Sequence, residues 1–554
     1  MKLTSGLAVA AVVAAVLVPS SAVAAPAAPQ PSRLAGDWIS TQLTGGVASG
    51  DFGPDAGLSI DAGLALDALG RDAGAAAVAD GIGGLLTTTD ANPYGYVSSD
   101  EYDFEPPYDF VQVGLYANAT AKAAAFAGRV GRDPRAAYDS VDLVAQLEQL
   151  TDDATGVIAD DSSYGNYANA IGQSFAVEAL ARAGSPEADA ATDALLAQQC
   201  PKGYFLFDLG STDCGQLPSA DTTALAVISL SESGITSARV AGAVSLATRW
   251  LEDTQRTDGS FVGDAATPGS NANTTGLAGW ALGLAGRTAS ATRAAGWTRG
   301  LQAADPGACA TQAPTGAIAY DSADLASARS GGLGTKAGIW RRATFQAAPA
   351  LLWAPAATTA LGVSAPTSAA AGSTVDVVVR GLAAGEHACV TTGATKRLVT
   401  GTGSDLTLSF DLPATAPASH TFAVTTLEAT SSATTSVAAP AQPVPTVGDL
   451  RVAKVVKASR RAFTVRVACE GTEPCTGRLK VRTAAKVERA GGARKVLLVA
   501  KTRYAVDADG TAKVRLRLTA AARALLEPGR TRVVATQTAP GAESATTKFW
   551  LKTR

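Results

Sequence analysis

A repeat of about 52 residues constrains this chain more than any other feature. Three segments begin with a polar residue suited to a helix start, Asn169, Asp221 and Asn273, and each continues into a run rich in Ala, Gly and Leu with at most one charge. Such side chains cap a helix by accepting hydrogen bonds from its first free amides. We therefore expect three buried helices, each capped by its polar residue.

A second, amphipathic helix is predicted ahead of each buried one. It is clearest between Val240 and Leu251, where apolar residues recur every three or four positions. Repeats of this length cannot bury their apolar faces alone and must stack on their neighbours. Less regular copies extend the pattern, which predicts six helix pairs between about residues 35 and 354.

The repeat resembles that of a known superfamily. The stretch W-L-E-D-T-Q-R-T-D-G-S-F, from Trp250 to Phe261, is followed by N-T-T-G-L-A from Asn273. This combination is similar to the squalene-cyclase repeat of terpenoid cyclases and protein prenyltransferases. The resemblance implies an all-α domain, an α6/α6 toroid of helix pairs. It does not fix an activity, because one fold serves many functions.

The catalytic motifs of that superfamily are missing from the sequence. The only histidines, His387 and His420, lie outside the predicted toroid, so a zinc site built from Cys, Asp and His cannot be assembled there. No D-x-D-D and no D-D-x-x-D occurs. We therefore predict no catalytic residue, no metal and no cofactor. A divergent, class II type terpenoid cyclase acting outside the cell remains as an alternative.

One segment interrupts the repeat with interleaved aromatic and acidic residues, from Tyr94 to Phe110. We expect a loop at the mouth of the toroid that stacks on an apolar or cationic ligand, or binds Ca²⁺ through carboxylates, or only fills a gap between irregular repeats. The loop D-D-S-S-Y-G-N-Y, residues 160–167, occupies the corresponding place in the next repeat. Phe175 and Trp280 are the inner-helix residues expected to face the cavity. The ligand-binding candidates are Tyr94, Tyr96, Tyr102, Asp103, Tyr108, Tyr164, Tyr167, Phe175 and Trp280.

The first residues predict export. Lys2 precedes an uncharged stretch from Leu7 to Val18, and small residues at 22–25 offer a cleavage site, so residues 1–25 are interpreted as a signal peptide. No later segment is long and apolar enough to span a bilayer. We expect a secreted protein, with any attachment to the cell surface non-covalent.

Six cysteines in an exported chain favour disulfides. Cys200 and Cys214 flank a loop between two helices, and Cys469 and Cys475 flank a short hairpin, so we predict both bonds. Cys309 and Cys389 remain, and they pair only if the toroid docks onto the domain that follows it.

After Pro355 the pattern changes to alternating, β-branched segments. Residues 357–439 are interpreted as an immunoglobulin-like β domain, as found in bacterial surface modules, residues 440–447 as a Pro-rich linker, and residues 448–554 as a second sandwich-type β domain. The last domain holds 24 Lys and Arg against 8 Asp and Glu, whereas the rest holds 22 against 41. This excess suggests attraction to polyanions, or else only a solvated surface.

These observations lead to one functional hypothesis. We expect a non-catalytic, secreted protein whose toroid binds a small apolar ligand or a partner segment, and whose basic domain binds an anionic cell-envelope polymer or surface. Nucleic acid is not expected, because no aromatic residues interleave with the basic ones. A purely structural surface protein is the further alternative.

Overall fold

The computed structural model describes residues 30–89, 94–264, 267–415, 417–438, 448–488, 492–526, 528–540 and 542–553. The predicted signal peptide and the predicted linker lie outside these ranges. Within them, no helix is long and apolar enough to cross a membrane. The chain divides into two compact units, residues 1–438 and 439–554.

The first unit begins with a helical domain. Its helices are α1 (Gln30–Thr41), α2 (Ala56–Ala68), α3 (Asp72–Gly81), α4 (Gly83–Leu86), α5 (Ala117–Arg129), α6 (Leu143–Gln149), α7 (Ala170–Arg182), α8 (Ala188–Ala197), α9 (Ala220–Glu232), α10 (Ala238–Thr254), α11 (Ala272–Leu284), α12 (Thr288–Gly300), α13 (Ser322–Gly331) and α14 (Ala337–Ala347). A 3₁₀ segment, Ala348–Trp353, ends the domain. Its short strands are β1 (Leu43–Thr44), β2 (Val47–Gly50), β3 (Gly53–Pro54), β4 (Ser98–Tyr102) and β5 (Phe110–Leu115).

Six helices form a closed inner ring. Each of α2, α5, α7, α9, α11 and α14 packs on the next, and α14 packs on α2. Small residues allow this close approach. At Gly276, for example, a Cβ atom would come within 2.3 Å of the Cα of Ala347 on α14. The predicted α/α toroid is therefore present, with the other long helices packed around the ring.

Two of the three predicted helix caps are wrong. Asn169 caps α7, accepting hydrogen bonds from the amides of two residues in its first turn. The caps of α9 and α11 are Ser219 and Asn271, each two residues before the predicted one. The residues 52 apart, Asp221 and Asn273, lie inside the first turn, because the repeat also carries a cap-competent residue two positions earlier. Their side chains are thus free for another role.

Glutamine side chains join neighbouring outer segments of the ring. The Nε2 atom of Gln199 donates to the carbonyl of Gly203 in its own turn and to that of Ala243 on α10. Gln255 repeats this pattern one unit later. Gln302 donates to the carbonyls of Gly316 and Pro31. This last link ties the end of the toroid to its first helix.

The second part of the first unit is a β sandwich. Its strands are β6 (Gly362–Ser364), β7 (Ser368–Ala370), β8 (Thr374–Arg380), β9 (His387–Thr392), β10 (Thr395–Thr400), β11 (Leu406–Asp411), β12 (Ser419–Thr425) and β13 (Thr430–Ala438). They form sheets of order β10-β9-β12-β13-β7 and β11-β8-β6. The alternating valines of β8 and the facing Phe410 and Phe422 fill the core.

This sandwich docks on the toroid. A disulfide joins Cys309 to Cys389, so the pairing that the sequence left open is formed. Beside it, Asp305 accepts hydrogen bonds from Arg329, at 2.7 and 2.9 Å, and lies 3.3 Å from Nδ1 of His387. Burial raises the pKa of Asp305, but its hydrogen bonds with His387 and Arg329 outweigh burial and hold the pKa well below its usual range. Asp305 is therefore ionised at neutral pH.

The second unit is a separate β sandwich. Its elements are β14 (Asp449–Arg451), β15 (Val455–Lys457), β16 (Ala462–Ala468), β17 (Cys475–Thr483), β18 (Val487–Glu488), β19 (Arg494–Lys495), β20 (Leu498–Val506), β21 (Thr511–Arg517), α15 (Ala520–Leu525), β22 (Gly529–Thr538) and β23 (Ala545–Thr553). The two larger sheets have the orders β14-β16-β21 and β15-β23-β22-β17-β20. The predicted disulfides, Cys200 to Cys214 and Cys469 to Cys475, are both present.

Candidate functional site

The inner ring encloses a cavity of about 200 Å³. Helices α7, α9 and α11 supply an apolar side, and α14, α2 and α5, on the other half of the ring, supply polar groups. An adjoining groove of about 280 Å³ shares Lys122, Ile171 and Phe175 with the cavity. The side chains that line the cavity include Asp61, Lys122, Arg129, Phe175, Leu225, Leu277, Trp280, Phe345 and Gln346.

Asp61 of α2 and Lys122 of α5 form an ion pair in this cavity. The Nζ atom of Lys122 lies 2.7 Å from Oδ1 of Asp61 and donates to the carbonyl of Gly57 at 3.0 Å. Burial lowers the pKa of Lys122, but the charge of Asp61 and the adjacent Tyr96 raise it above its usual value. Lys122 therefore stays protonated, and its ion pair holds the Asp61 side chain in the cavity wall.

A second, more deeply buried ion pair joins α5 to α7. Arg129 donates to both carboxylate oxygens of Glu178, at 2.6 and 2.7 Å, and both side chains are buried. The guanidinium also lies 5.5 Å from the ring centre of Trp280. A bidentate pair of this kind is rigid and specific in geometry. It anchors one wall of the cavity and leaves Trp280 facing the space.

A polar layer surrounds the mouth of the cavity. Asn118, Asp221 and Asn273 are the second residues of α5, α9 and α11, and each lies four positions before a lining residue. Side chains four apart lie on the same helix face. The three polar groups therefore lie one turn above the cavity, at the end of the ring where the inner helices begin.

Asp221 is the most perturbed group of this layer. Burial raises its pKa from 3.8 to about 6, the charge of Asp264 adds to the effect, and Thr274 partly offsets it. Among the described residues, its Oδ1 atom has no hydrogen-bond partner. The same is true of Oδ1 of Asn273, whose Nδ2 atom donates to Gln346 at 2.6 Å. Asp221 is thus a carboxyl group able to hold or release a proton near neutral pH.

The interrupting segment forms a hairpin, β4–β5, and not the predicted loop. Its anchor is Glu101, a fully buried carboxylate that accepts hydrogen bonds from the hydroxyls of Ser162 and Ser163 at 2.5 and 2.6 Å. Burial raises the pKa of Glu101, but these hydrogen bonds together lower it below its usual value. The hairpin and the loop of residues 160–167 therefore form one surface, which we call the aromatic rim.

Exposed rings cover the aromatic rim. Tyr102 lies edge-on to Phe110 at 6.0 Å, and Phe104 lies 5.0 Å from Tyr164. The hydroxyl of Tyr164 also accepts a hydrogen bond from the amide of Tyr102 at 2.8 Å. The rim adjoins the mouth, because the backbone carbonyl of the neighbouring Tyr167 accepts a hydrogen bond from Asn118. Exposed aromatic rings on a fixed backbone are typical of binding surfaces.

The structure divides the predicted ligand-binding residues into two groups. Phe175 and Trp280 line the cavity, and Tyr96 lines the adjoining groove. The exposed rim or its flanks hold the others, namely Tyr94, Tyr102, Asp103, Tyr108, Tyr164 and Tyr167. Their role as ligand contacts remains a prediction. No three His, Cys, Asp or Glu side chains in the described ranges are placed to hold a metal ion.

Sequence reasoning missed the charged residues of the ring. Asp61, Lys122 and Glu178 were passed over, and Asp221 was interpreted as a cap. A usable signal exists, because each of the first three is a single charge within an otherwise uncharged stretch of a buried helix. Charged residues are almost never fully buried unless they are paired.

Comparisons with known proteins return solved structures of low similarity. No family model matches the chain, and no curated protein matches it. A protein from Actinoplanes has a TM-score of 0.39 at 17% identity, over 58% of this chain and 98% of its own. A glycosidase variant, E178A, has a TM-score of 0.38 at 16% identity, over 59% and 97%. An unsaturated glucuronyl hydrolase specific for heparin has a TM-score of 0.39 at 12% identity, over 58% and 95%.

These findings correct two expectations. The resemblance to terpenoid cyclases and prenyltransferases is wrong, since the solved structures that match include a glycosidase and a glucuronyl hydrolase. The predicted function, a non-catalytic relative of the squalene-cyclase repeat proteins, is wrong with it. The α/α toroid followed by β-rich domains stands. The error arose because buried, Ala-rich inner helices with regular caps follow from the toroid itself, whatever its activity.

Proposed function

We propose that the toroid is a carbohydrate-active domain of an exported protein, in which Asp221 donates a proton to a glycosidic bond held at the mouth of the cavity. The observation that carries the proposal is the position of Asp221. Asp221 is half-buried, its Oδ1 atom is buried without a partner among the described residues, and it lies one helical turn above the lining residue Leu225. A pKa near the working pH is what a general acid needs.

The aromatic rim supports a carbohydrate as the substrate. Sugar rings present apolar C–H faces and polar edges, so they pack on exposed aromatic rings and bind to amides and carboxylates. Tyr102, Phe104 and Tyr164 offer the rings, and Asn118 and Asn273 offer the amides. An extended glycan on the rim would reach the mouth with one end.

The reaction also needs a second carboxylate. In glycoside hydrolysis, one carboxylic acid protonates the leaving oxygen as the C–O bond breaks, and a carboxylate takes a proton from the attacking water. Asp61, which Lys122 holds in the cavity wall, is the group suited to this second role, and it then releases the proton to solvent. Asp221 ends the reaction as the carboxylate and regains a proton from solvent.

The three disulfides fit an oxidising compartment such as the extracellular space. An exported enzyme acting on polysaccharides outside the cell agrees with this chemistry. Export itself is tested by locating the full-length protein in the culture medium, with an intact disulfide content measured by mass spectrometry.

The proposed activity is tested by incubating the purified chain with a panel of neutral and acidic polysaccharides and measuring new reducing ends. Asp221→Asn should lower kcat at least about 100-fold with little change in KM, because a general acid contributes that much. For the unaltered chain, kcat should fall above about pH 6. Asp153→Asn, an exposed acid of the same domain, is the control. Full turnover by Asp221→Asn, or neither binding nor cleavage of any polysaccharide, would refute the proposal.

A further inference from the structure

The larger sheet of the second unit presents an unusual solvent face. None of its five strands, β15, β23, β22, β17 and β20, contains an Asp or a Glu. Their outward positions carry Lys and Arg, while the inward positions carry the apolar core. We call this outward surface the cationic face. Among the described residues of this unit, the ion pairs involve only Arg451 on the other sheet.

Like charges lie directly opposite one another on the cationic face. Arg478 of β17 pairs with Arg503 of β20, and Lys480 pairs with Lys501. All four side chains are exposed. Residues directly opposite on antiparallel strands have Cβ atoms about 4.5–5.5 Å apart, and like charges there are destabilising. The fold therefore tolerates a repulsion that one carboxylate would have relieved.

The same arrangement recurs at the other side of the sheet. Arg530 of β22 lies opposite Lys552 of β23, which in turn lies beside Lys457 of β15. Strands are about 4.8 Å apart, and outward residues along a strand are about 7 Å apart. The charges thus form a grid over a flat surface, matching an extended polyanion better than a single small anion.

One aromatic residue lies within this grid, which corrects the sequence-based expectation that none does. Trp550 of β23 is half-buried, lies opposite Arg532, and has the guanidinium of Arg532 at 5.8 Å from its ring centre. An indole among cations suits a polymer that carries both apolar ring faces and negative charges. A chain of acidic sugars has both, whereas a polyphosphate has only the charges.

We propose that the cationic face binds an extended acidic polysaccharide, with its carboxylates on the paired Lys and Arg side chains and a sugar ring on Trp550. This proposal does not rest on an activity of the toroid. By this proposal the second unit alone holds the polysaccharide, either as a substrate or as a polymer of the cell wall.

The test measures binding of the full-length protein to polygalacturonate by calorimetry at low salt. The variant Arg478→Glu/Lys480→Glu should lose at least tenfold in affinity, while its melting temperature rises, because the new carboxylates face Arg503 and Lys501. The control is Arg515→Glu/Arg517→Glu, the same charge change on exposed residues of the other sheet. It should change the affinity less than threefold.

Two further arms identify the ligand. Trp550→Ala should weaken binding to polygalacturonate at least fivefold and leave binding to polyphosphate unchanged. An equal loss in the control variant would overturn the proposal in favour of general charge attraction. Binding of polyphosphate or anionic vesicles as tight as that of polygalacturonate, and insensitive to Trp550→Ala, would overturn it in favour of a phosphate surface.

Discussion

Single polar side chains decide the character of the toroid cavity. Arg129 and Glu178 are fully paired, and Asp61 is paired with Lys122, so the deep charges are compensated. Asp221 is the exception, since burial without a cationic partner favours its neutral form. A buried carboxyl group of this kind lowers the free energy of unfolding at neutral pH, but it can supply a proton.

The cost of burying Asp221 gives a prediction. Because its pKa is raised to about 6 in the folded protein, the folded state binds more protons than the unfolded state between about pH 4 and 6. Its contribution to stability is therefore full at low pH and is lost as the pH rises through 6. A rise of about two pKa units corresponds to about 3 kcal/mol in the free energy of unfolding.

Asp221→Asn should remove this dependence on pH. We expect the variant and the unaltered protein to have equal free energies of unfolding at pH 4, and the variant to be more stable at pH 8 by up to about 3 kcal/mol. Urea denaturation at both pH values measures the difference. A variant that is no more stable at pH 8 would mean that the carboxyl is already solvated.

Among the helices, closure of the ring depends on contacts between the first and the last segments of the toroid. Gln302 is buried and donates to carbonyls at both ends of the toroid, at Pro31 and Gly316. Gln199 makes the equivalent bonds within the ring but is only half-buried. A carbonyl that loses its donor costs more when water cannot replace it.

Gln302→Leu should therefore destabilise the toroid by about 2–4 kcal/mol, since each buried carbonyl left without a donor costs about 1–3 kcal/mol. Gln199→Leu should cost less, about 1 kcal/mol, because Gln199 itself is only half-buried. Thermal unfolding followed by circular dichroism at 222 nm compares the two variants. Equal losses would contradict the view that closure depends on this one buried link.

For the whole molecule, the Cys309 to Cys389 bond fixes the first β domain to the toroid. Its cysteines are 80 residues apart, whereas Cys200 and Cys214 are 14 apart. A longer closed loop removes more entropy from the unfolded chain. This bond joins two domains that each have their own core, together with the Asp305 contact and the ion pair of Arg299 with Glu386.

Replacing the cysteines by alanine tests this dependence. Cys309→Ala/Cys389→Ala should lower the free energy of unfolding of the first unit by about 4–5 kcal/mol, and Cys200→Ala/Cys214→Ala by about 3 kcal/mol, from the entropy of loop closure. Calorimetry should also resolve separate transitions for toroid and β domain in the first variant only. A single transition in both variants would show that non-covalent contacts suffice.

The periodic features of the protein are visible in its amino-acid sequence. The 52-residue repeat, the change from helical to alternating patterns after Pro355, two of the three disulfides and the charge of the last domain depend on spacing or composition, which a single sequence displays. It also placed Phe175 and Trp280 on inner helices, because a buried helix in a closed ring has one face toward the centre.

The roles of individual residues depend on contacts between distant parts of the chain. Asp61 and Lys122 meet across 61 positions, and Asp221 acquires its properties from burial against neighbouring repeats, not from its own helix. The opposing cations of β17 and β20 depend on strand register, which local sequence does not specify. Capping and periodicity are local effects, whereas ion pairing, pKa and register depend on which distant residues fold together, so they could not be read from the sequence alone.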